Sequence, residues 1–230
     1  MQSFSVKEAF TFAWNTFKKE PWLYGGITLI AVAISFVVNR ISGEMGGLIG
    51  GILSLVAVLV QWWIYLAFAR IALAAHAGRP VAIKMLIEEK WNTFFKFALA
   101  MILSGIIIFV GFVLLIIPGI IAQIMLSMVV FIALEKGGLG VVDMLKESRR
   151  LTDGHKWNLF VFMLIAVVIN MVGALIFGIG LLVTVPLTLL AMVHIYKKLD
   201  QRVAVEPVAK PMPAPAAPAA PVAPEAPAQM

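Results

Sequence analysis

The stretch Phe97–Leu134, FALAMILSGIIIFVGFVLLIIPGIIAQIMLSMVVFIAL, runs for 38 residues without a charged side chain. As one helix it would be about 57 Å long, against a bilayer core of roughly 30 Å. It must therefore fold back once. Pro118-Gly119 is where the sequence permits this, because Pro suits the first turn of a helix and Gly accepts a tight reversal.

Working outward, two more stretches of the same kind flank it. Trp22 to about Ala75 divides into a first helix, Trp22 to Val38, opened by Pro21 and closed before Asn39 and Arg40, then an outer turn over Gly43 to Gly47 containing Glu44, and a longer helix from about Leu48 toward Ala75. Trp157 to Tyr196 breaks at Gly178-Ile179-Gly180. With 62% apolar and 13% charged residues, the chain has too little polar surface to clothe a soluble domain. The expected fold class is all-α: a polytopic membrane protein with six transmembrane helices over residues 1–200. Six crossings of roughly 20 residues leave no room for a separate soluble domain. The first apolar stretch follows a charged arm and lacks a small-x-small exit, so it reads as a span rather than a cleaved signal. Residues 201–230 become rich in Pro and Ala, and are expected to form a disordered cytoplasmic tail.

The net charge of +6 is spread over several segments, not gathered in one run, which argues against nucleic acid as a partner. Of 18 Lys and Arg residues only Arg40 falls on the outer side. The positive-inside rule then places both termini and the two long connections in the cytoplasm. Trp22, Trp91 and Trp157 stand near the cytoplasmic entry of the odd-numbered spans, where an indole suits the headgroup level.

Ahead of each hairpin a charge-bearing segment carries a helical apolar stripe. In the first, Ser5-Val6-Lys7-Glu8 has the form of a capping box, followed by Val6, Phe10, Ala13, Trp14 and Phe17 on one face. The second has Pro80 in a first turn, with Ile83, Leu86, Ile87, Trp91 and Phe94 opposed to Lys84, Glu88, Glu89 and Lys90. The third, Val141 to Leu151, is stopped by Gly154. Ile71-Ala72-Leu73 matches Ile132-Ala133-Leu134, and Trp91-Asn92-Thr93-Phe94 echoes Trp14-Asn15-Thr16-Phe17 and Trp157-Asn158-Leu159-Phe160. Three parallel repeats of surface helix plus hairpin are expected, about 1–75, 76–135 and 136–200, around a pseudo-threefold axis along the membrane normal.

Ile117-Pro118-Gly119, then Glu135, Lys146-Glu147-Ser148, Leu151, Gly154 and Trp157-Asn158-Leu159-Phe160, together resemble the membrane domain found beside glycerophosphoryl diester phosphodiesterases. The same arrangement is similar to YciC-type bacterial inner-membrane proteins. The resemblance covers roughly residues 1–200 and implies a six-span bundle in a bacterial inner membrane. The phosphodiesterase catalytic domain has no counterpart in the sequence, so its activity is not carried over.

Ionisable groups inside spans mark transport pathways, and here they are nearly absent. Gln61, Gln123 and Asn170 are the candidate intramembrane polar sites, with Ser127 and Thr184 beside them. Such side chains more often bridge helices, at about 0.6 kcal/mol each. The titratable set Glu135, Asp143, Glu147, Arg149, Arg150, Asp153 and His155 could in the right geometry perform acid–base work or bind a metal, but the spacing does not demand it and a solvated charged face is the favoured explanation. There is no Cys, no P-loop and no nucleophile elbow, so neither an enzyme nor a cofactor is expected. Gly46, Gly47, Gly50 and Gly51 form overlapping GxxxG patterns, read first as contacts within the bundle. Two readings of function remain. One is a non-enzymatic scaffold or accessory protein whose interfacial helices meet membrane lipids or a protein partner at the cytoplasmic face. The other is a passive lipid or small-solute conduit, which would require a cavity containing Gln61, Gln123 or Asn170.

Overall fold

A computed structural model of the chain describes residues 4–86, 90–176 and 178–205. Of the tail expected over 201–230, residues 201–205 continue the last helix, while 206–230, together with Ile87, Glu88 and Glu89 of the second stripe, lie outside the described residues. The described residues form helices α1 (Val6–Phe17), α2 (Pro21–Met45), α3 (Gly47–His76), α4 (Trp91–Leu114), α5 (Ile116–Leu126), α6 (Val129–Glu135), α7 (Val141–Thr152), α8 (Lys156–Leu175) and α9 (Leu181–Val205), with no strand among them. Six helical stretches are long and apolar enough to cross a membrane, α5 and α6 together making one. The fold is that of a multi-pass membrane protein.

The reversals are tighter than the sequence suggested. Asn39 and Arg40 do not end α2, which runs on to Met45 with Arg40 and Glu44 paired one turn apart at 3.3 Å. The outer turn shrinks to Gly46-Gly47, both in the left-handed region at φ 55° and 53°, a conformation that costs other residues a Cβ clash. In the second hairpin the fold-back lies at Leu115, in extended backbone, rather than at Pro118-Gly119. Pro118 instead occupies the first turn of α5, and Gly119 lies against Gly111, where a Cβ would come within 2.9 Å of the facing backbone. The third hairpin turns between Leu175 and Leu181, as expected from its glycines.

Of the three charged segments, the first and third are helical. Ser5 caps α1 by accepting from the Glu8 N–H at 3.5 Å, while the Glu8 carboxylate pairs with Lys198 of α9. The second segment is not an amphipathic helix in its described part: only a 3₁₀ turn, Ile83–Leu86, forms there. The Trp63 indole donates to the Leu86 carbonyl at 2.8 Å, engaging an acceptor that a continuing helix would use. Trp91 and Phe94 of the expected stripe belong to α4 and pack on Trp63, with ring centres 4.9 and 5.1 Å away.

The hairpins α2–α3, α4–α5/α6 and α8–α9 follow one another in a closed order. The first helix of each packs on the second helix of the hairpin before it: α4 on α3, α8 on α5, α2 on α9. The segment ahead of each hairpin joins the same neighbour, the 3₁₀ turn on α3, α7 on α5 and α6, and α1 on α9. The core lies toward the end where most charges gather. There Leu66 and Ile71 of α3, Phe131 and Ile132 of α6, and Leu190 and Tyr196 of α9 are fully buried. In the distal halves the buried residues are few, chiefly Gly50, Gly111, Gly119 and Gly173, each at a helix–helix contact within its own hairpin. This division is physical, because lipid supplies no hydrophobic drive between helices and leaves association to close packing and polar contacts.

Candidate functional site

The titratable residues converge at the charged end, where α1, α6, α7 and the last turns of α9 meet. Lys136, directly after α6, donates to Glu147 Oε1 of α7 and to Asp200 Oδ1 of α9, both at 2.7 Å. Arg150 holds Glu147 in a fork, Nε to Oε2 and Nη2 to Oε1, each 2.8 Å. Lys197 pairs with Glu135, and Lys198 with Glu8. A second set lies beside it, with His76 Nε2 and His194 Nδ1 3.3 Å apart and Phe12 of α1 against both rings. His194 Nε2 is 3.7 Å from the Glu8 carboxylate.

A buried hydroxyl adds a second tie between helix α7 and the α5–α6 stretch. Ser148 is fully buried and sits at the break between α5 and α6, donating to the Met125 carbonyl at 2.7 Å and accepting from the Met128 N–H at 3.2 Å. It thereby satisfies backbone groups that the interrupted helix leaves open. Glu147 and Ser148, adjacent in sequence, thus hold a lysine and a helix break respectively.

The fields are correspondingly strong. The Arg150 fork, with Lys136 added, overcomes burial and holds the Glu147 carboxyl down at about 2. Burial alone would lower the Lys136 ammonium, but its bonds to Asp200 and Glu147 outweigh that and raise it. The Lys198 bond lowers Glu8, and the Lys156 bond lowers Asp153.

Of the titratable set expected from sequence, Glu135, Glu147 and Arg150 come together here. Asp143 and Asp153 stay in local pairs, with Lys146 at 3.5 Å and Lys156 at 3.0 Å. Arg149 is exposed on α7, and His155 lies against the Asp153 carbonyl at 3.0 Å. Sequence reading missed Lys136, Asp200, Glu8 and the His76–His194 pair as members of one site. Among the described residues no group of three His, Cys, Asp or Glu side chains is placed to hold a metal ion. The geometry clamps elements together; its carboxylates are engaged by cations.

The intramembrane polar residues are dispersed. Gln61 accepts from Ser35 at 3.0 Å across α2 and α3, and lines a cavity of about 420 Å³ bordered by α2, α3 and α9. Asn170 donates to the Ala166 carbonyl at 2.8 Å and to Thr188 at 3.5 Å inside the third hairpin. Gln123 is exposed on α5. Gln61 alone of the three lines that cavity.

Fold and site together define a helical multi-pass membrane protein whose charged end is tied by ion pairs between hairpins. Over residues 45–203 the chain matches the family model described as protein of unknown function (DUF975), and it belongs to that family. The match spans α3 to α9 and leaves α1 and nearly all of α2 outside. Nothing in it leads specifically to the phosphodiesterase-associated or YciC-type proteins that the short motifs resemble. No curated protein and no solved structure matches the chain.

Proposed function

We propose that this chain is a non-enzymatic scaffold or accessory protein of the bacterial cytoplasmic membrane, with both termini and the charged end in the cytoplasm. One observation carries the reading: Glu8, Glu135, Glu147 and Asp200 each bond a cation, and most of these bonds join different elements. Carboxylates so engaged hold a shape and are poorly placed to accept a proton from a substrate. Val142, Lys146 and Arg149 stand exposed on α7, which the clamp and Ser148 tie to α6 and the α5–α6 break, and such a face suits a protein partner. Trp22, Trp91 and Trp157 are 92%, 66% and 72% exposed at the starts of three first helices, a placement that suits the headgroup region of the same leaflet.

A photoreactive residue at Arg149 in the full-length protein in native membranes tests this. A discrete protein adduct is expected; adducts to lipid alone would remove the scaffold reading. The cavity beside Gln61 favours the second reading, a passive conduit for lipid or a small solute. It has less support, because the cavity lies to one side of the fully buried core formed by α3, α6 and α9.

A further inference from the structure

The cavity beside Gln61 has a definite depth. Along α2, Trp22 suits one membrane interface and the Arg40–Glu44 pair the other, about 27 Å apart at 1.5 Å per residue. This agrees with a hydrocarbon core of roughly 30 Å. The lining runs from Asn39, just inside the Arg40 level, through Ser35, about 7.5 Å inside it, to Thr28, about 18 Å inside it. Measured along the α2 axis, the groove therefore covers about the length of one leaflet on the Arg40 side. It reaches the surface at Val32 and Phe36, which are 48% and 68% exposed, and its remaining wall includes Val185 of α9.

Its polar atoms are only partly used. Ser35 donates to the Gln61 amide oxygen at 3.0 Å, and the Asn39 amide donates to the Ser35 carbonyl at 2.7 Å. The nitrogen of the Gln61 amide makes no hydrogen bond among the described residues. Were the amide turned over, its oxygen would be the unused atom instead. A bare hydrogen-bonding group in hydrocarbon is costly. The ester groups of lipids, at the hydrocarbon boundary on the Arg40 side, are the nearest hydrogen-bonding chemistry that a chain entering the groove from that side brings with it.

We propose that the groove binds one acyl chain of a glycerolipid in the leaflet at the Arg40 end, with an ester oxygen accepting from the Gln61 amide. The chain lies along the Thr28–Phe36 face of α2 and against Val185. This goes beyond the scaffold reading and holds whichever side of the membrane the Arg40 end faces.

The test uses the full-length protein in nanodiscs containing phosphatidylglycerol with a diazirine in one acyl chain, followed by peptide mapping after illumination. Adducts are expected to concentrate on residues 28–39 and 61–68, above the equally exposed distal halves of α4 and α8. Gln61→Leu should lower their yield about fivefold, the effect of one ordinary hydrogen bond. Val32→Trp, at the rim, should abolish them, and Gln123→Leu on α5 should leave them unchanged. With the unmodified protein alone, added unlabelled phosphatidylglycerol should compete saturably for the groove adducts. Labelling spread over all hairpins according to exposure, simple linear dilution by unlabelled lipid, or unaltered yield in Gln61→Leu and Val32→Trp would each overturn the proposal.

Discussion

Lys136 is bound by two carboxylates that lie 11 and 64 residues away in sequence, and it joins α6, α7 and α9 through them. Replacing Glu147 with Gln leaves Arg150 without its fork and Lys136 with a single carboxylate. A loss of about 1–3 kcal/mol is expected, read by urea unfolding in detergent micelles. The acid dependence follows from the same residue. Its folded-state carboxyl titrates near 2, below the ordinary 4.5. The stabilisation is thus full above about pH 4.5 and disappears as the pH falls through about 2. Glu147→Gln should flatten that part of the profile, and an unchanged acid slope would show that another group supplies it. Glycines act at the same scale. A Cβ on Gly180 would lie 2.6 Å from the Gly173 Cα and carbonyl oxygen, which are backbone atoms with little freedom to yield. Gly180→Ala should lower thermal stability by about 1–3 kcal/mol. Gly26, with nothing within 4 Å, is the control, since Ala there gains helix propensity of about 1 kcal/mol.

At the scale of elements, α1 shows how an amphipathic pattern is completed. Ala9 and Ala13 are fully buried because α1 runs antiparallel along the end of α9, Glu8 by Lys198 and Phe12 by His194. The 3.6-residue period predicted the helix, but of its stripe only Ala13 and Phe17 are buried and Trp14 is exposed, while Ala9 and Thr16 outside the stripe are buried; a period cannot say whether lipid or protein covers a face. Ala13→Leu should overpack the contact and loosen α1. Faster tryptic cleavage at Lys18–Lys19 in the intact protein would report it; an unaltered rate would mean that α1 is held from elsewhere. The segment after Pro80, whose described part forms only a 3₁₀ turn, teaches the complementary lesson. The stripe runs through Trp91 and Phe94, yet both belong to α4, and the Trp63 indole takes the Leu86 carbonyl from outside the segment. A tertiary contact of this kind overrides local periodicity.

For the whole molecule, the distribution of charge predicts sidedness. The chain has no Cys, so Glu44→Cys and Lys146→Cys each introduce a single thiol. In intact spheroplasts an impermeant maleimide should label Glu44→Cys and reach Lys146→Cys only after lysis. The opposite pattern would invert the proposed orientation and would leave the groove beside Gln61 in the other leaflet. The hairpins converge at the charged end and separate distally, where their buried residues are mostly glycines touching within one hairpin. Gly50 was legible in advance from its GxxxG spacing, and its Cβ would fall 2.6 Å from the Ser42 carbonyl oxygen. Gly111 and Gly173 stand in no GxxxG spacing, and Gly119 is legible only as a turn residue; their close contacts, like that of Gly50 with Ser42, are made across a turn.

By itself the sequence determined the class, the number of spans and two of the three charged helices, since apolar length and helical period are local properties that any bilayer-crossing chain must satisfy. Tertiary structure decided which charges meet, where the core closes and which polar side chain opens onto a groove. Those outcomes depend on pairings such as Lys136 with Asp200 and Ser35 with Gln61. Ser35 and Gln61 meet once the register of one hairpin is set, whereas Lys136 and Asp200 become neighbours only when whole hairpins pack.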